Sequence, residues 1–181
     1  MQTLATVKVW DPLVRIFHWG LVGSFAVAFL TAEDIRDVHE VAGYVAGGLI
    51  ATRLVMGFAG SPYARFRQFL RSPVEVVSYL RSMIRHRDRR YIGHNPLGGL
   101  MVMVLILAMG GIALTGWLQT TDAYWGVEWV EELHEALANL MLGAVAVHLC
   151  GVVFESIRHN ENLVAAMISG RKRAPAPGDV V

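Results

Sequence analysis

Four apolar runs, each long enough to cross a bilayer, leave this 181-residue chain few folds to choose from. A helix rises about 1.5 Å per residue, so about 20 residues cover a hydrocarbon core roughly 30 Å thick. The chain is 54% hydrophobic, and its apolar residues gather in blocks rather than amphipathic stripes. It reads as an all-α membrane protein, a four-helix transmembrane bundle.

The spans are expected at 12–31, 38–58, 96–118 and 130–157. Asp11-Pro12 supplies a capping side chain followed by a first-turn proline, and Asn95-Pro96 repeats that start. Asp37 with Glu40 reads as a capping pair for the second span. The last span exceeds the thickness of the core, so its first turn should protrude or tilt. The first run is long for a signal-peptide core, and it carries His18 in "RIFHW", which a discarded leader would not need. The single cysteine, Cys150, rules out a disulfide within one chain.

Between the second and third spans, Val74, Val77, Leu80 and Ile84 recur at helical spacing, with Arg81 and Arg85 off that stripe. Ser72 and Glu75 cap its start, so residues 73–87 are expected to lie on the membrane surface as an amphipathic helix. Residues 171–181, "RKRAPAPGDVV", are short, basic and then proline-rich, and are expected to be a disordered cytoplasmic tail after a domain covering 1–170. Eight arginines fall between Arg65 and Arg90. The opposite loops hold Arg36 among Glu33, Asp34, Asp37, Asp122, Glu128, Glu131 and Glu132. The positive-inside rule then puts both termini in the cytoplasm of a multi-pass inner-membrane protein, with Trp125 and Trp129 in the outer aromatic belt. Anionic lipid headgroups account for the arginine loop more simply than nucleic acid does.

Within "ELHEALANLMLGAVAVHLCG", His134 and His148 are fourteen residues apart, which puts them on one helical stripe about 21 Å apart. By depth, His18 matches His148 near the cytoplasmic side, and His39 matches His134 near the outer side. A single histidine on an apolar face is ordinarily a packing residue. Four imidazoles matched in depth are another matter, because ionisable groups inside a membrane are costly and tend to be functional. Facing imidazoles suit an axially ligated haem iron, and two of them close both axial positions, so such a haem carries electrons. Each would bind neutral, its other nitrogen donating to a carbonyl or water. No CxxCH occurs, so the haems would be b-type. The competing use is a zinc or iron transporter, which would want carboxylates near mid-membrane. The spans offer only Arg53 and Glu155, close to the cytoplasmic ends.

"RIFHW", "DVHEVAGY", "ATRLVMGF", "GHNPLGGLM" and "ELHEALANLMLGAVAVHLCGVV", followed by "ENLVAAMISG", resemble the bacterial cytochrome b561 family over residues 8–173. That family is related to the b-type cytochrome subunit of nickel–iron hydrogenases. The resemblance implies four transmembrane helices with two b haems between them, and His18, His39, His134 and His148 as axial ligands. It also implies electron exchange between the quinone pool and an extracytoplasmic redox protein such as a c-type cytochrome. The alternative role is an anchoring, electron-transferring subunit of a hydrogenase or dehydrogenase. No catalytic residue is assigned; a quinone oxidoreductase activity would follow from the electron transfer itself, and a homodimer is compatible with this reading.

Arg15 and Arg53 are candidates to meet haem propionates, with snorkelling to headgroups as the plainer role. His94 is a candidate for a propionate or quinone contact, or else a surface residue. His86 and His159 are expected at the surface and Cys150 in packing. Gly43, Gly47 and Gly48 would admit either a porphyrin face or a neighbouring helix.

Overall fold

The computed structural model describes residues 5–181; the first four residues of the expected 1–170 domain lie outside the described residues. The elements run β1 (Thr6–Lys8), α1 (Pro12–Thr31), α2 (Arg36–Ala59), α3 (Phe66–Phe69), α4 (Pro73–Ile84), α5 (Pro96–Gln119), α6 (Glu128–Arg158), α7 (Leu163–Ser169) and β2 (Arg171–Arg173). Four of these helices, α1, α2, α5 and α6, are long and apolar enough to cross a membrane. Large apolar side chains stand exposed along them, among them Leu30, Phe58, Leu107 and Ile157. Water would not tolerate so much apolar surface, whereas lipid does. The protein is a mostly helical integral membrane protein.

The helix starts follow the local chemistry. The Asp11 carboxylate accepts from the Val14 amide at 2.9 Å, and Asn95 Oδ1 accepts from the Gly98 amide at 2.6 Å. Each side chain thereby satisfies an amide that the first turn leaves without a partner. Ser72 and Glu75 exchange both bonds of a capping box ahead of α4. Asp37 does not cap α2. The helix begins at Arg36, so Asp37 lies in its first turn, and Glu40 instead accepts from Arg36 at 2.7 Å. That places an acidic side chain at the positive end of the helix dipole without making it a cap.

The chain divides into two compact units, one of Ile16–Val55 and Val104–Ala146, the other of the N-terminal residues to Arg15, Met56–Met103 and Val147–Val181. In the first, segments of all four long helices pack round Ala46, Ile50, Ala108, Met109 and Met141, with Phe17, Leu21, Phe25, Leu105, Ile112 and Val145 against them. Lipid offers helices no hydrophobic drive to associate, so close van der Waals packing must hold them, and small residues permit it. A Cβ added to Gly47 would lie 3.4 Å from Ala113, whereas Gly43 and Gly48 face open space. Gly47 therefore serves helix contact.

The second unit corrects the expected disordered tail. Residues 171–173 pair antiparallel with Thr6–Lys8, in the register Thr6↔Arg173, Val7↔Lys172 and Lys8↔Arg171. Val180 then bonds on both sides of Tyr91, donating to Arg90 at 2.8 Å and accepting from Ile92 at 2.9 Å. The physical reason is a buried charge. Arg90, 4% exposed, donates to Glu161 at 2.6 Å and to Asp179 at 2.5 Å, and Lys172 lies 3.1 Å from Glu161. A guanidinium out of water needs such partners, and Asp179 can supply one only if the tail folds back. A short helix, α7, precedes the strand. It is capped by Asn162 and ended by Gly170 at φ +78°, a left-handed position that favours glycine.

Burial raises the Glu161 and Asp179 carboxyls, but bonds from Arg90 and neighbouring groups outweigh it and hold both below their ordinary values of 4.5 and 3.8. A depressed folded-state value contributes stability that is fully present above the unfolded value and lost as pH falls through the folded one. The tail should thus stay docked above about pH 4.5 and open progressively below it. Limited proteolysis across pH 3–6 with an acid-active protease checks this: cleavage after residue 173 should rise only on the acid side.

Candidate functional site

The pair His39 and His134 comes together within one unit. His39 is the fourth residue of α2 and His134 the seventh of α6, and their ring centres are 6.1 Å apart. Metal–imidazole bonds of about 2 Å, with the ring centre about 1 Å farther, put two rings on opposite sides of one ion roughly 6 Å apart. The second nitrogens are already engaged. His39 Nδ1 lies 2.8 Å from the Ala28 carbonyl, in the last turn of α1, where carbonyls lack an amide donor from within the helix. His134 Nδ1 lies 2.9 Å from the Thr115 hydroxyl on α5. With Nδ1 as donor, each ring keeps a bare Nε2, the form in which imidazole ligates a metal. Next to this pair, a Cβ on Gly116 would come within 3.1 Å of His134 Cε1, so glycine leaves the ring its place. These residues fit a bis-imidazole haem.

His18 and His148 fall in different units. The His18 ring stands edge-on to Trp19, centres 5.1 Å apart, and His148 is half-buried on α6. Arg53, only 4% exposed within α2, has its guanidinium 6.0 Å from the centre of the Phe17 ring. The side chain is thus covered by protein rather than exposed. Arg15 donates through Nη1 to the Ile168 carbonyl at 2.5 Å, closing the end of α7.

His94 is not a surface residue. Its ring lies between Trp10 and Phe69, with centres 4.8 and 4.9 Å away, just ahead of the Asn95 cap of α5. His159 is also drawn inward, 3.3 Å from Glu155 and 3.4 Å from Asp88, whose side chain is fully covered. Asp88 accepts in addition from Arg158 Nε at 3.1 Å, and those bonds hold its carboxyl below the ordinary range against the opposing effect of burial. The acid that fixes His159 lies 71 residues earlier in the chain, so its local basic context misled. His86 is exposed, with Nδ1 2.5 Å from Arg158 Nη1, and Cys150 is exposed too. Thr115 escaped sequence reading altogether. Its one legible sign is that it stands nineteen residues before His134, a hydroxyl in an otherwise apolar helix.

Among the described residues, no group of three or more His, Cys, Asp or Glu side chains converges to hold a metal ion. No solved structure gives a significant match. A probable Ni/Fe-hydrogenase B-type cytochrome subunit of Bradyrhizobium diazoefficiens is 26% identical, over 93% of this chain and 86% of that protein. The subunit so named from Rhizobium leguminosarum bv. viciae is 23% identical over 92% and 89%, and that from Cupriavidus necator 24% over 93% and 88%. The family model for prokaryotic cytochrome b561 matches residues 9–170, nearly the whole described chain, and the protein belongs to that family of membrane b-type cytochromes.

Proposed function

We propose that the chain is a transmembrane di-haem b cytochrome that passes electrons between the quinone pool and an extracytoplasmic redox protein such as a c-type cytochrome. His39 and His134 hold the outer haem; His18 and His148 hold the cytoplasmic one. Arg53 and Arg15 meet propionates, and His94, beside the start of α5, lies towards the quinone. Both termini are cytoplasmic and the membrane is the inner one. The observation that carries this reading is the His39–His134 pair, 6.1 Å between ring centres with both Nδ1 atoms occupied. A porphyrin supplies the other four ligands to its iron, so two imidazoles suffice, whereas a transported ion would need more protein donors.

The charge of the outer loops supports a basic partner. Glu33, Asp34, Asp37, Asp122, Glu128, Glu131 and Glu132 are all exposed. The one arginine there, Arg36, is tied to Glu40 and lies over the Trp125 ring, 4.4 Å from its centre. A negative rim steers encounter more than it tightens a complex.

The names of the relatives favour a second reading, a subunit of a hydrogenase or dehydrogenase complex. Against it, the alignment with the Bradyrhizobium protein spans 215 positions, more than the 181 residues of this chain, so that relative holds inserted segments that this one lacks.

A pyridine haemochrome assay should return about two b haems per chain. A soluble quinol analogue should reduce them, and a basic c-type cytochrome should reoxidise them at a rate that falls with ionic strength as the Debye length shrinks from about 10 Å at 0.1 M to about 3 Å at 1 M. No haem would refute the reading. Reoxidation only in the presence of a co-purifying dehydrogenase would move it to the second.

A further inference from the structure

We propose that Thr115 is a positioning residue that sets the potential of the outer haem through His134. This rests on the reading of His39 and His134 as ligands to one haem. Thr115 is 4% exposed, and its hydroxyl has three neighbours: the Gly111 carbonyl at 2.9 Å, the Ile112 carbonyl at 3.1 Å and His134 Nδ1 at 2.9 Å. A hydroxyl has one hydrogen and two lone pairs. Backbone carbonyls can only accept, so the hydrogen goes to them, and a lone pair is left to accept from His134 Nδ1–H. The tautomer of His134 is thereby fixed, with Nε2 bare.

The consequence is electronic as well as geometric. An imidazole whose distal N–H is held by an acceptor is a more basic ligand. A more basic axial ligand favours ferric over ferrous iron, because the oxidised ion gains more from donated charge. The two ligands of this haem are not held alike. His39 has the Ala28 carbonyl of α1 as its acceptor, whereas His134 has a hydroxyl of α5 that is itself a donor, with the Ile112 carbonyl of the same helix beside it. A hydroxyl that gives its hydrogen to backbone carbonyls carries more negative charge on its oxygen and is a better acceptor for it. The two bonds also draw on all four long helices: α1 orients the ligand of α2, and α5 orients the ligand of α6. Gly116, the neighbour of Thr115, gives the ring the room to reach that hydroxyl.

Thr115→Val keeps the branched shape and removes the acceptor. In the full-length protein, redox titration followed in the haem α-band should show the outer component more readily reduced by about tenfold in its equilibrium, which is about 59 mV for a one-electron couple. The cytoplasmic component should stay in place. Thr115→Ala should reproduce the shift and Thr115→Ser should reverse it, since serine restores the hydroxyl. The ferric low-spin EPR signal of the outer haem should move in the valine and alanine variants alone. Wild-type potentials and EPR spectra in the valine and alanine variants, with two haems still bound, would overturn the role of Thr115 and leave the haem pair standing. An equal shift in the serine variant would also overturn it, because packing rather than the hydroxyl would then be at work. Failure of the haem pair itself shows separately, as a wild-type protein that binds fewer than two haems.

Discussion

His134→Ala is expected to abolish the outer haem and leave the other, taking the haem content from about two per chain to about one. A b haem has no covalent link to the chain, so axial bonds and the fit of its pocket are what retain it. Alanine removes one axial bond and opens a void where the imidazole stood. It also leaves the Thr115 hydroxyl without the ring it faces at 2.9 Å. His39→Ala should deplete the same spectral component, because the two rings lie 6.1 Å apart, the spacing that two ligands of one iron would have. His18→Ala and His148→Ala should together define the other component. Haemochrome content and low-temperature α-band spectra of the four variants check this. Depletion of one component by both His18→Ala and His134→Ala would break the pairing by depth. Retention of both haems in His134→Ala would remove it from the ligand set.

What was legible in the sequence is what depends on neighbours along the chain. The spans could be read because an apolar run of about 20 residues has few other fates. The starts of α1, α4 and α5 could be read because a capping side chain acts on amides three residues ahead, as Asp11, Ser72 and Asn95 do. The approach of His39 to His134 could be expected from the sequence because the bilayer supplies an external ruler for depth. Asp37 shows the limit of that local chemistry, since a good capping residue need not be the cap when the helix starts one residue before it. Nonlocal partners were out of reach. "RKRAPAPGDVV" looks solvated until Glu161 and Arg90 are seen beside it, and the strand it joins begins at Thr6. His159 looks exposed until Asp88 is placed against it. Thr115 is hidden for a subtler reason. Threonine in an apolar helix ordinarily bonds back to its own backbone, as this one does, and only the neighbouring helix reveals the second bond.

Arg90→Ala should cost about 3–5 kcal/mol of local stability, because it strands buried charge rather than merely losing a bond. Glu161 and Asp179 both face that guanidinium, and their side chains are only 8% and 10% exposed. Glu161 would keep Lys172 at 3.1 Å. Asp179 would keep only its bond from the Ala176 amide at 2.9 Å, so the segment carrying it should swing out to water. At about 1.4 kcal/mol per factor of ten, opening of residues 174–181 should rise by roughly 10² to a few times 10³-fold. Amide hydrogen exchange of that segment in detergent or nanodiscs measures it directly. Arg90→Lys should recover only part of the loss, since one ammonium cannot match the fork that bridges two carboxylates. The pair Arg90→Met with Asp179→Leu removes the orphaned acid while leaving Glu161 with Lys172, and should restore most of the protection if stranded charge is the cause. Protection that stays low in the paired variant would mean that the guanidinium bonds themselves, including the 2.9 Å bond to the Arg173 carbonyl, hold the tail in place. Protection unchanged in Arg90→Ala would mean that backbone pairing, of β1 with β2 and of Val180 with residues 90 and 92, holds it, and that the buried ion cluster adds nothing to the fold.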